Sequence, residues 1–221
     1  MSVERERAEL RWALAGLHPL YFARWFVCTL DQGDEQTPIK PFPHDRPHIR
    51  SLTQLWRGNQ MLFVPKSRQM LITWWAAMLS VWYPIFREGR LVYQQSKRLE
   101  DVVGNEHTGD GLMGRSKFIL NHIPCRDWLL PEKSVVVKSE TITFPRWNSS
   151  ITALAQGGDK IRSHTVSLLV TDETAFQDQF DDAMTATMAS IRHGRWLGVT
   201  TPDLRDGGTS MRIAMDLPDL E

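Results

Sequence analysis

Residues 66–73 read KSRQMLIT, and their place between a predicted strand and a predicted helix decides the fold of this 221-residue chain. The apolar run QMLFV (60–64) before them predicts a buried strand, and the run from Thr73 to Trp82 after them predicts a helix. A loop that leads from a strand into a helix N-terminus can receive phosphate. The sequence therefore predicts an α/β fold with a candidate phosphate-binding loop.

The loop departs from the standard pattern G-x-x-x-x-G-K-[ST]. Lys66 and Leu71 stand at the two glycine positions and Ile72 at the lysine position, so that only Thr73 matches. Lys66 and Arg68 still provide positive charge, and Thr73 offers a hydroxyl to Mg²⁺. An ordinary polar loop with surface cations is the alternative interpretation of this segment.

A second polar strand end follows the apolar residues LLVT (168–171), which are closed by Asp172 and Glu173. An apolar strand that ends in two acids is the Walker B arrangement, in which Asp172 would hold Mg²⁺ through water and Glu173 would orient or deprotonate the attacking water. The alternative is a strand followed by a helix N-terminus, where acids are favourable in any protein.

A third polar strand end is GVTTP (198–202), which is also compatible with a strand that simply stops at a turn. Ligands of open α/β sheets bind outside the carboxyl ends of the strands. Three polar strand ends in this chain order are much less probable by chance than any single one. Their joint occurrence favours a nucleotide site.

Short apolar strands that alternate with helical segments predict a mainly parallel sheet covered on both faces. Four prolines between residues 31 and 47 predict an extended connector, and we place a domain boundary at residue 46. The predicted strands are residues 60–64, 90–94, 134–138, 141–144, 150–155, 165–171 and 195–200. The predicted helices are residues 4–16, 20–30, 49–58, 73–82, 98–107 and 183–191.

Composition excludes several classes of protein. The chain has 26 Lys+Arg against 26 Asp+Glu and 42% apolar residues, which is unlike a disordered chain or a strongly basic nucleic-acid binder. Cys28 and Cys125 are too few for a disulfide scaffold, and the histidines and cysteines lack metal-ligand spacing. No run reaches the roughly 18 apolar residues of a membrane span. These features predict a soluble protein of a reducing compartment.

The sequence resembles the N-terminal ATPase domain of a tailed-bacteriophage large terminase, the motor that packages DNA into procapsids. The resemblance covers about residues 20–205. Its segments are KSRQMLITW (66–74), ITALAQGGDKIRS (151–163), LLVTDETAFQ (168–177), GVTTPD (198–203) and the early FVCTLD (26–31) and PFPHDRPHIR (41–50).

The resemblance implies a P-loop NTPase sandwich of the additional-strand type with a small helical N-terminal appendage. Its implied divisions are the appendage and connector at 1–46, the ATPase domain at 47–205, and the start of a linker to an absent nuclease domain at 206–221. Nuclease activity is therefore not expected of this chain.

Roles at the site follow from the same resemblance. Glu173 and Arg162 would be catalytic, with Arg162 near the γ-phosphate in cis or on a neighbouring subunit. Thr73 and Asp172 would hold the metal, and Thr200 and Thr201 would couple hydrolysis to movement. The implied ATP-binding residues are Lys66, Ser67, Arg68, Gln69, Met70, Leu71, Ile72 and Thr73.

The implied activity is Mg²⁺-dependent ATP hydrolysis that drives double-stranded DNA translocation. The implied partners are DNA, the portal protein and the small terminase subunit. The resemblance further implies a pentameric ring or an isolated monomer, the host cytoplasm as location, and no membrane. Leu71 and Ser163 replace family glycines, which leaves a non-catalytic nucleotide-binding or assembly module as an alternative. A helicase-like ATPase and an unrelated α/β binding protein are the two other alternative functions.

Overall fold

The computed structural model describes residues 3–156, 165–176 and 194–201. Its helices are α1 (Val3–Leu17), α2 (Pro19–Phe26), α3 (Pro47–Gly58), α4 (Ile72–Phe86), α5 (Leu99–Val103), α6 (Leu112–Asn121) and α7 (Arg126–Leu129). Its strands are β1 (Cys28–Leu30), β2 (Ile39–Pro41), β3 (Met61–Pro65), β4 (Leu91–Ser96), β5 (Val136–Val137), β6 (Thr141–Phe144), β7 (Ser149–Ala155), β8 (Leu168–Asp172) and β9 (Arg195–Thr200). The helix predicted at 183–191 and the linker predicted at 206–221 lie outside the described residues.

Seven strands form the central sheet in the order β3-β9-β8-β4-β7-β6-β5. The first five pair in parallel, while β6 and β5 extend the sheet in antiparallel pairing. Parallel neighbours need crossover connections, whereas β5, β6 and β7 follow one another through short turns. Side chains of β8 and β9 are buried on both faces, as their continuous apolar sequences require. The predicted mainly parallel α/β sheet is confirmed.

The placement of β9 fixes the geometry at one end of the sheet. β9 lies between β3 and β8, with Pro65 opposite Thr200 and Asp172 opposite Val199. The carboxyl ends of these three strands are therefore level and adjacent. This is the additional-strand arrangement, in which a third strand separates the strand before the loop from the strand that ends in acids.

Helix α4 is the central helix of the core and directly follows the 66–71 loop. It is apolar all round and buried on nearly every side, as expected of a helix enclosed by other elements. Trp75 is fully buried, and its indole nitrogen donates a hydrogen bond to Thr53 Oγ1 of α3 at 3.0 Å. The packing of α4 thereby holds the end of the loop against the sheet.

The N-terminal helices pack into the same hydrophobic core as α4. Phe22 of α2 is fully buried in the cluster that also contains Val199 of β9, and the Trp82 indole of α4 donates to the Ala15 carbonyl of α1 at 2.7 Å. The boundary at residue 46 stays a prediction, although packing across it is continuous.

The connector is more regular than the extended segment that its prolines predict. The helix predicted to reach residue 30 ends at Phe26, because Cys28–Leu30 forms β1 and pairs antiparallel with β2. The intervening turn is closed by Asp34, whose carboxylate accepts from the Thr37 amide and pairs with Lys40. We call this two-stranded unit, residues 28–41, the ribbon.

Two helices, α6 and α7, are absent from the sequence-based prediction. The polar helix predicted for 98–107 is confined to α5, which ends at Gly104 with a φ of 51°. A Cβ at Gly104 would come within 2.0 Å of the Asp110 carbonyl oxygen, so the chain turns sharply there and continues into α6. Among the described residues, no helix has the length and apolar character needed to cross a bilayer.

Candidate functional site

Lys66 follows β3 and contacts residues at the ends of β9 and β8. Its backbone amide donates to the Thr200 carbonyl at 2.8 Å, and its Nζ lies 3.3 Å from Glu173 Oε1. Only 9% of the Lys66 side chain is exposed. A nearly buried ammonium needs an anionic partner, and Glu173 provides one in this structure.

Glu173 is also held from β9. Thr201 donates to Glu173 Oε2 twice, from its amide at 3.2 Å and from its hydroxyl at 2.8 Å. The backbone of Glu173 has a φ of 51°, a left-handed conformation that costs a non-glycine residue about 1–2 kcal/mol. Such costs cluster where surrounding contacts over-determine the geometry, which is often at functional sites.

Thr200 connects β9 to the turn that follows Glu173. Its hydroxyl accepts from the Ala175 amide at 3.1 Å and donates to the Thr201 carbonyl at 2.9 Å. Thr200 is fully buried. The 173–176 turn is therefore hydrogen-bonded to the end of β9.

Asp172, the last residue of β8, is a largely enclosed carboxylate. Burial raises its pKa to about 6, and the neighbouring Glu173 adds to the rise, while Lys66 and Arg115 act in the opposite direction. The Glu173 amide donates to Asp172 Oδ1 at 3.1 Å. Asp172 and the Thr73 hydroxyl, in the first turn of α4, are oxygen ligands of the kind that Mg²⁺ takes. The described ranges contain no cluster of three or more His, Cys, Asp or Glu side chains suited to a metal ion.

The 66–71 loop adopts left-handed backbone at two residues, Gln69 (φ 65°) and Leu71 (φ 59°). Leu71 stands where the standard phosphate loop has its second glycine, and it takes the conformation that glycine adopts freely. Its carbonyl accepts the Trp75 amide at 2.9 Å and so begins α4. Ser67 and Arg68 are exposed. The Cβ of Leu71 thus strains the loop without preventing its fold.

A cavity of about 610 Å³ lies beside this loop. The ribbon and the segment 108–110 form its outer wall, where Gln32 Nε2 donates to the Thr108 carbonyl at 2.6 Å. Three of its lining side chains are cationic: Lys40, Arg46 and Arg115.

The structure brings together Lys66, Asp172, Glu173, Thr200 and Thr201, while the roles assigned to them stay predictions. Arg162 lies outside the described residues, and its role stays a prediction.

Sequence reasoning missed Arg115 and the cavity wall. Arg115 could have been recognised as a candidate, because it is a charged residue whose helix neighbours Leu112, Met113 and Ser116 are buried. No local signal places the ribbon beside the loop, since that contact depends on the tertiary fold.

Fold and site together define an α/β protein with a mainly parallel sheet, in which an additional strand lies between the strand before the 66–71 loop and the strand that ends in acids. No protein-family model matches the sequence, and no curated protein matches it either. The chain is similar in structure to the HK97 bacteriophage large terminase, with a TM-score of 0.61 and 16% identity over 91% of this chain and 40% of that one. This likeness confirms the predicted fold. The chain thus spans about 40% of the length of the HK97 protein.

Two further solved structures match a smaller part of the chain. The large terminase ATPase domain of Thermus phage P74-26 has a TM-score of 0.48 and 16% identity, over 65% of this chain and 59% of that one. The large terminase of the thermophilic bacteriophage D6E has a TM-score of 0.47 and 14% identity, over 66% of this chain and 35% of that one.

Because Leu71 has left-handed backbone, we expect glycine to be more favourable than alanine at this position. Leu71→Gly and Leu71→Ala both lose the side chain, but only alanine keeps the cost of left-handed backbone. We expect the glycine variant to be more stable by about 1 kcal/mol, opposite to the usual order of these residues. Urea unfolding of both variants measures the difference. An alanine variant equal to or more stable than the glycine variant would contradict the strain.

The raised pKa of Asp172 predicts that Asp172→Asn stabilises the folded protein by an amount that depends on pH. In the unfolded chain this carboxyl ionises near its ordinary value of 3.8, whereas in the folded protein it does so near 6. The folded state binds more protons between these values, so the stability of the wild type falls as pH rises through that window. Neutral asparagine avoids this loss and keeps an oxygen acceptor for the Glu173 amide.

We expect Asp172→Asn to raise the free energy of unfolding by up to about 3 kcal/mol at pH 7.5, and by roughly half as much at pH 5. Urea unfolding without divalent cations or nucleotide measures both values. Equal gains at the two pH values would show that burial does not penalise the ionised carboxylate.

Proposed function

We propose that the chain binds and hydrolyses ATP with Mg²⁺, as the ATPase domain of a motor that translocates double-stranded viral DNA into a procapsid. The observation that carries this proposal is the contact of Lys66 with Glu173 at the carboxyl ends of β3 and β8, with Thr201 at the end of the intervening β9 holding the same carboxylate. A cation, a carboxylate and a hydroxyl converge beside a loop and a helix N-terminus, which are the components that phosphoryl transfer requires.

Phosphate binding changes the partner of Lys66. The ammonium group is nearly buried and pairs with Glu173 in this structure, so a phosphate oxygen at the loop competes with that carboxylate. The loop amides and the N-terminus of α4 add further donors and a favourable dipole. When Lys66 moves to phosphate, Glu173 loses its ion pair but keeps the two hydrogen bonds from Thr201.

Glu173 then acts as the catalytic carboxylate that orients a water and accepts its proton. Thr73 and Asp172 would hold Mg²⁺, which neutralises phosphate charge when bound. Arg68 is exposed at the loop and would contact or brace phosphate. Arg162 would neutralise transition-state charge, in cis or on a neighbouring subunit, a contribution that is worth up to several kcal/mol in such enzymes.

Thr200 and Thr201 would couple the nucleotide state to movement. Thr201 senses whether Glu173 is paired with Lys66, and Thr200 joins β9 to the turn after Glu173. A shift of Glu173 on phosphate binding would therefore move the chain that leaves β9.

The assembly is part of the same proposal. The working motor would be a homo-oligomeric, pentameric ring seated on the portal protein, with the small terminase subunit as a further partner. It would act in the host cytoplasm and grip DNA through few phosphate contacts, which neutral net charge permits. The large-terminase fold of the chain supports this proposal over an unrelated α/β binding protein.

A non-catalytic nucleotide-binding or assembly module is the second candidate, and Leu71 in left-handed conformation is the observation that favours it. Turnover that depends on Glu173 would reject that candidate. Stimulation of turnover distinguishes the packaging motor from a helicase-like ATPase. We expect turnover to rise with portal or procapsid and not with forked DNA alone.

The first test is the binding of a non-hydrolysable ATP analogue with Mg²⁺, measured by calorimetric titration. We expect Lys66→Ala to weaken binding by about a hundredfold or more, because a nearly buried cation is lost from the phosphate site. Lys138→Ala is the matched control, since this exposed lysine lies at the far edge of the sheet. Unchanged affinity in folded Lys66→Ala would remove Lys66 from this role.

Glu173→Gln separates binding from chemistry. Glutamine keeps an oxygen that accepts from Thr201 but cannot accept the proton of water at neutral pH. We expect analogue affinity within about threefold of wild type and turnover at least about a hundredfold slower. Phosphate release assays measure the rate, with the exposed Glu88→Gln as control. Wild-type turnover in Glu173→Gln would exclude this carboxylate as the base.

A further inference from the structure

Arg115 of α6 forms part of the wall of the cavity beside the 66–71 loop. It shares this wall with Gln69 and Leu71 of the loop and with Trp74 of α4. A residue of α6 thus reaches the same space as the candidate phosphate loop, although more than forty positions separate them in the sequence.

Trp74 holds the guanidinium of Arg115 in a defined position. The guanidinium carbon lies 5.6 Å from the centroid of the indole ring, within the range of a cation–π contact. Trp74 is in turn fixed by an edge-to-face contact with Phe118, one turn further along α6. Arg115 is therefore pre-organised by packing, as a residue that binds a ligand needs to be.

The hydrogen-bonding capacity of Arg115 is mostly unused. Its Nη1 lies 3.5 Å from the Gly111 carbonyl, and its Nε is buried without a hydrogen-bond partner among the residues that the structure describes. An arginine has five N–H donors, and an enclosed donor without an acceptor is costly.

Arg115 shares the cavity wall with the carboxylate of Asp110. Asp172 and Asp110 act to raise the pKa of Arg115, and Arg115 in turn opposes the rise in the pKa of Asp172 that burial causes. Burial is the larger influence and acts against the charged guanidinium. A further anion at this position would satisfy both the free donors and the charge.

We propose that Arg115 binds a phosphate group of the nucleotide, as a cation supplied by α6 in addition to Lys66. This inference rests on the proposed nucleotide site and names a residue that neither the loop pattern nor the strand ends contain. The loop has Ile72 at the position of the usual lysine, so a cation from another element would add to the charge that Lys66 supplies. The fork of a guanidinium suits two phosphate oxygens.

A purely structural role makes a different prediction. If Arg115 only balances Asp172 and packs on Trp74, its loss lowers stability and changes the affinity of adenosine, AMP and ADP to the same extent. If Arg115 binds phosphate, its loss weakens the binding of ADP far more than the binding of adenosine. The dependence of affinity on the number of phosphates therefore separates the two roles.

The experiment titrates adenosine, AMP and ADP into the wild-type chain and Arg115→Gln by calorimetry, without Mg²⁺ so that no metal at Asp172 contributes. Lys117→Gln is the matched control, because it removes a positive charge from the same helix. Lys117 Nζ donates to the Ser139 carbonyl, and neither residue is among those that line the cavity. We expect Arg115→Gln to weaken the affinity for ADP by about 10- to 100-fold and the affinity for adenosine by less than about twofold. Lys117→Gln should bind all three ligands like wild type.

Equal ADP affinity in wild type and folded Arg115→Gln, or an equal loss for adenosine and ADP, would overturn the inference and leave the nucleotide site intact. Failure of the wild type to bind ADP or the Mg²⁺ complex of an ATP analogue would instead overturn the proposed function, and this inference with it.

If Arg115→Gln does not fold, the ADP affinity of Arg115→Lys tests the inference instead. Lysine keeps the charge and the apolar stem but loses the fork, so we expect a loss of about 3- to 10-fold for ADP alone. Wild-type ADP affinity in Arg115→Lys would then overturn the inference.

Discussion

The parallel pairing of β9 between β3 and β8 is the constraint on which the site depends. It sets the ends of three strands side by side, so that Lys66, Glu173 and Thr201 meet although more than a hundred residues separate the first from the others. A shift of one residue in either pairing would turn these side chains to the opposite faces. The continuous apolar sequences of β8 and β9, buried on both sides, resist such a shift.

The site concentrates features that are unfavourable for stability. Lys66 is nearly buried, Asp172 carries a raised pKa, and Leu71 and Glu173 adopt left-handed backbone. The left-handed backbone and the buried carboxylate of Asp172 cost of order 1–3 kcal/mol each when considered alone. The packing of α4 against the sheet and α3 offsets them, because it supplies a large apolar interior directly behind the loop. A protein retains such costs where a ligand or a reaction gains from them.

The ribbon forms part of the cavity wall, and the N-terminal helices that precede it pack into the core with α4. Phe22 and Ala15 join the core that contains α4, and the ribbon that follows them reaches the cavity opposite Trp74 and Arg115. The first forty residues therefore contribute both to the stability of the domain and to the space beside the loop. This explains why Lys40 lines a cavity whose other side belongs to the 66–71 loop.

Much of the fold was determined by the sequence alone. Alternating apolar runs and helical segments predicted the parallel sheet, and the polar ends of β3, β8 and β9 identified Lys66, Asp172, Glu173, Thr200 and Thr201 before their contacts were known. Local patterns suffice there because strand period, apolar content and the residue types at strand ends are properties of short segments.

Other features were decided only by the tertiary structure. The pairing of Lys66 with Glu173, the left-handed backbone of Leu71, and the approach of Arg115 to the loop depend on elements far apart in sequence. The end of α2 at Phe26 has the same origin, since β1 forms only because β2 is available to pair with it. Long-range packing and hydrogen bonding select these states, and no local pattern encodes the partner.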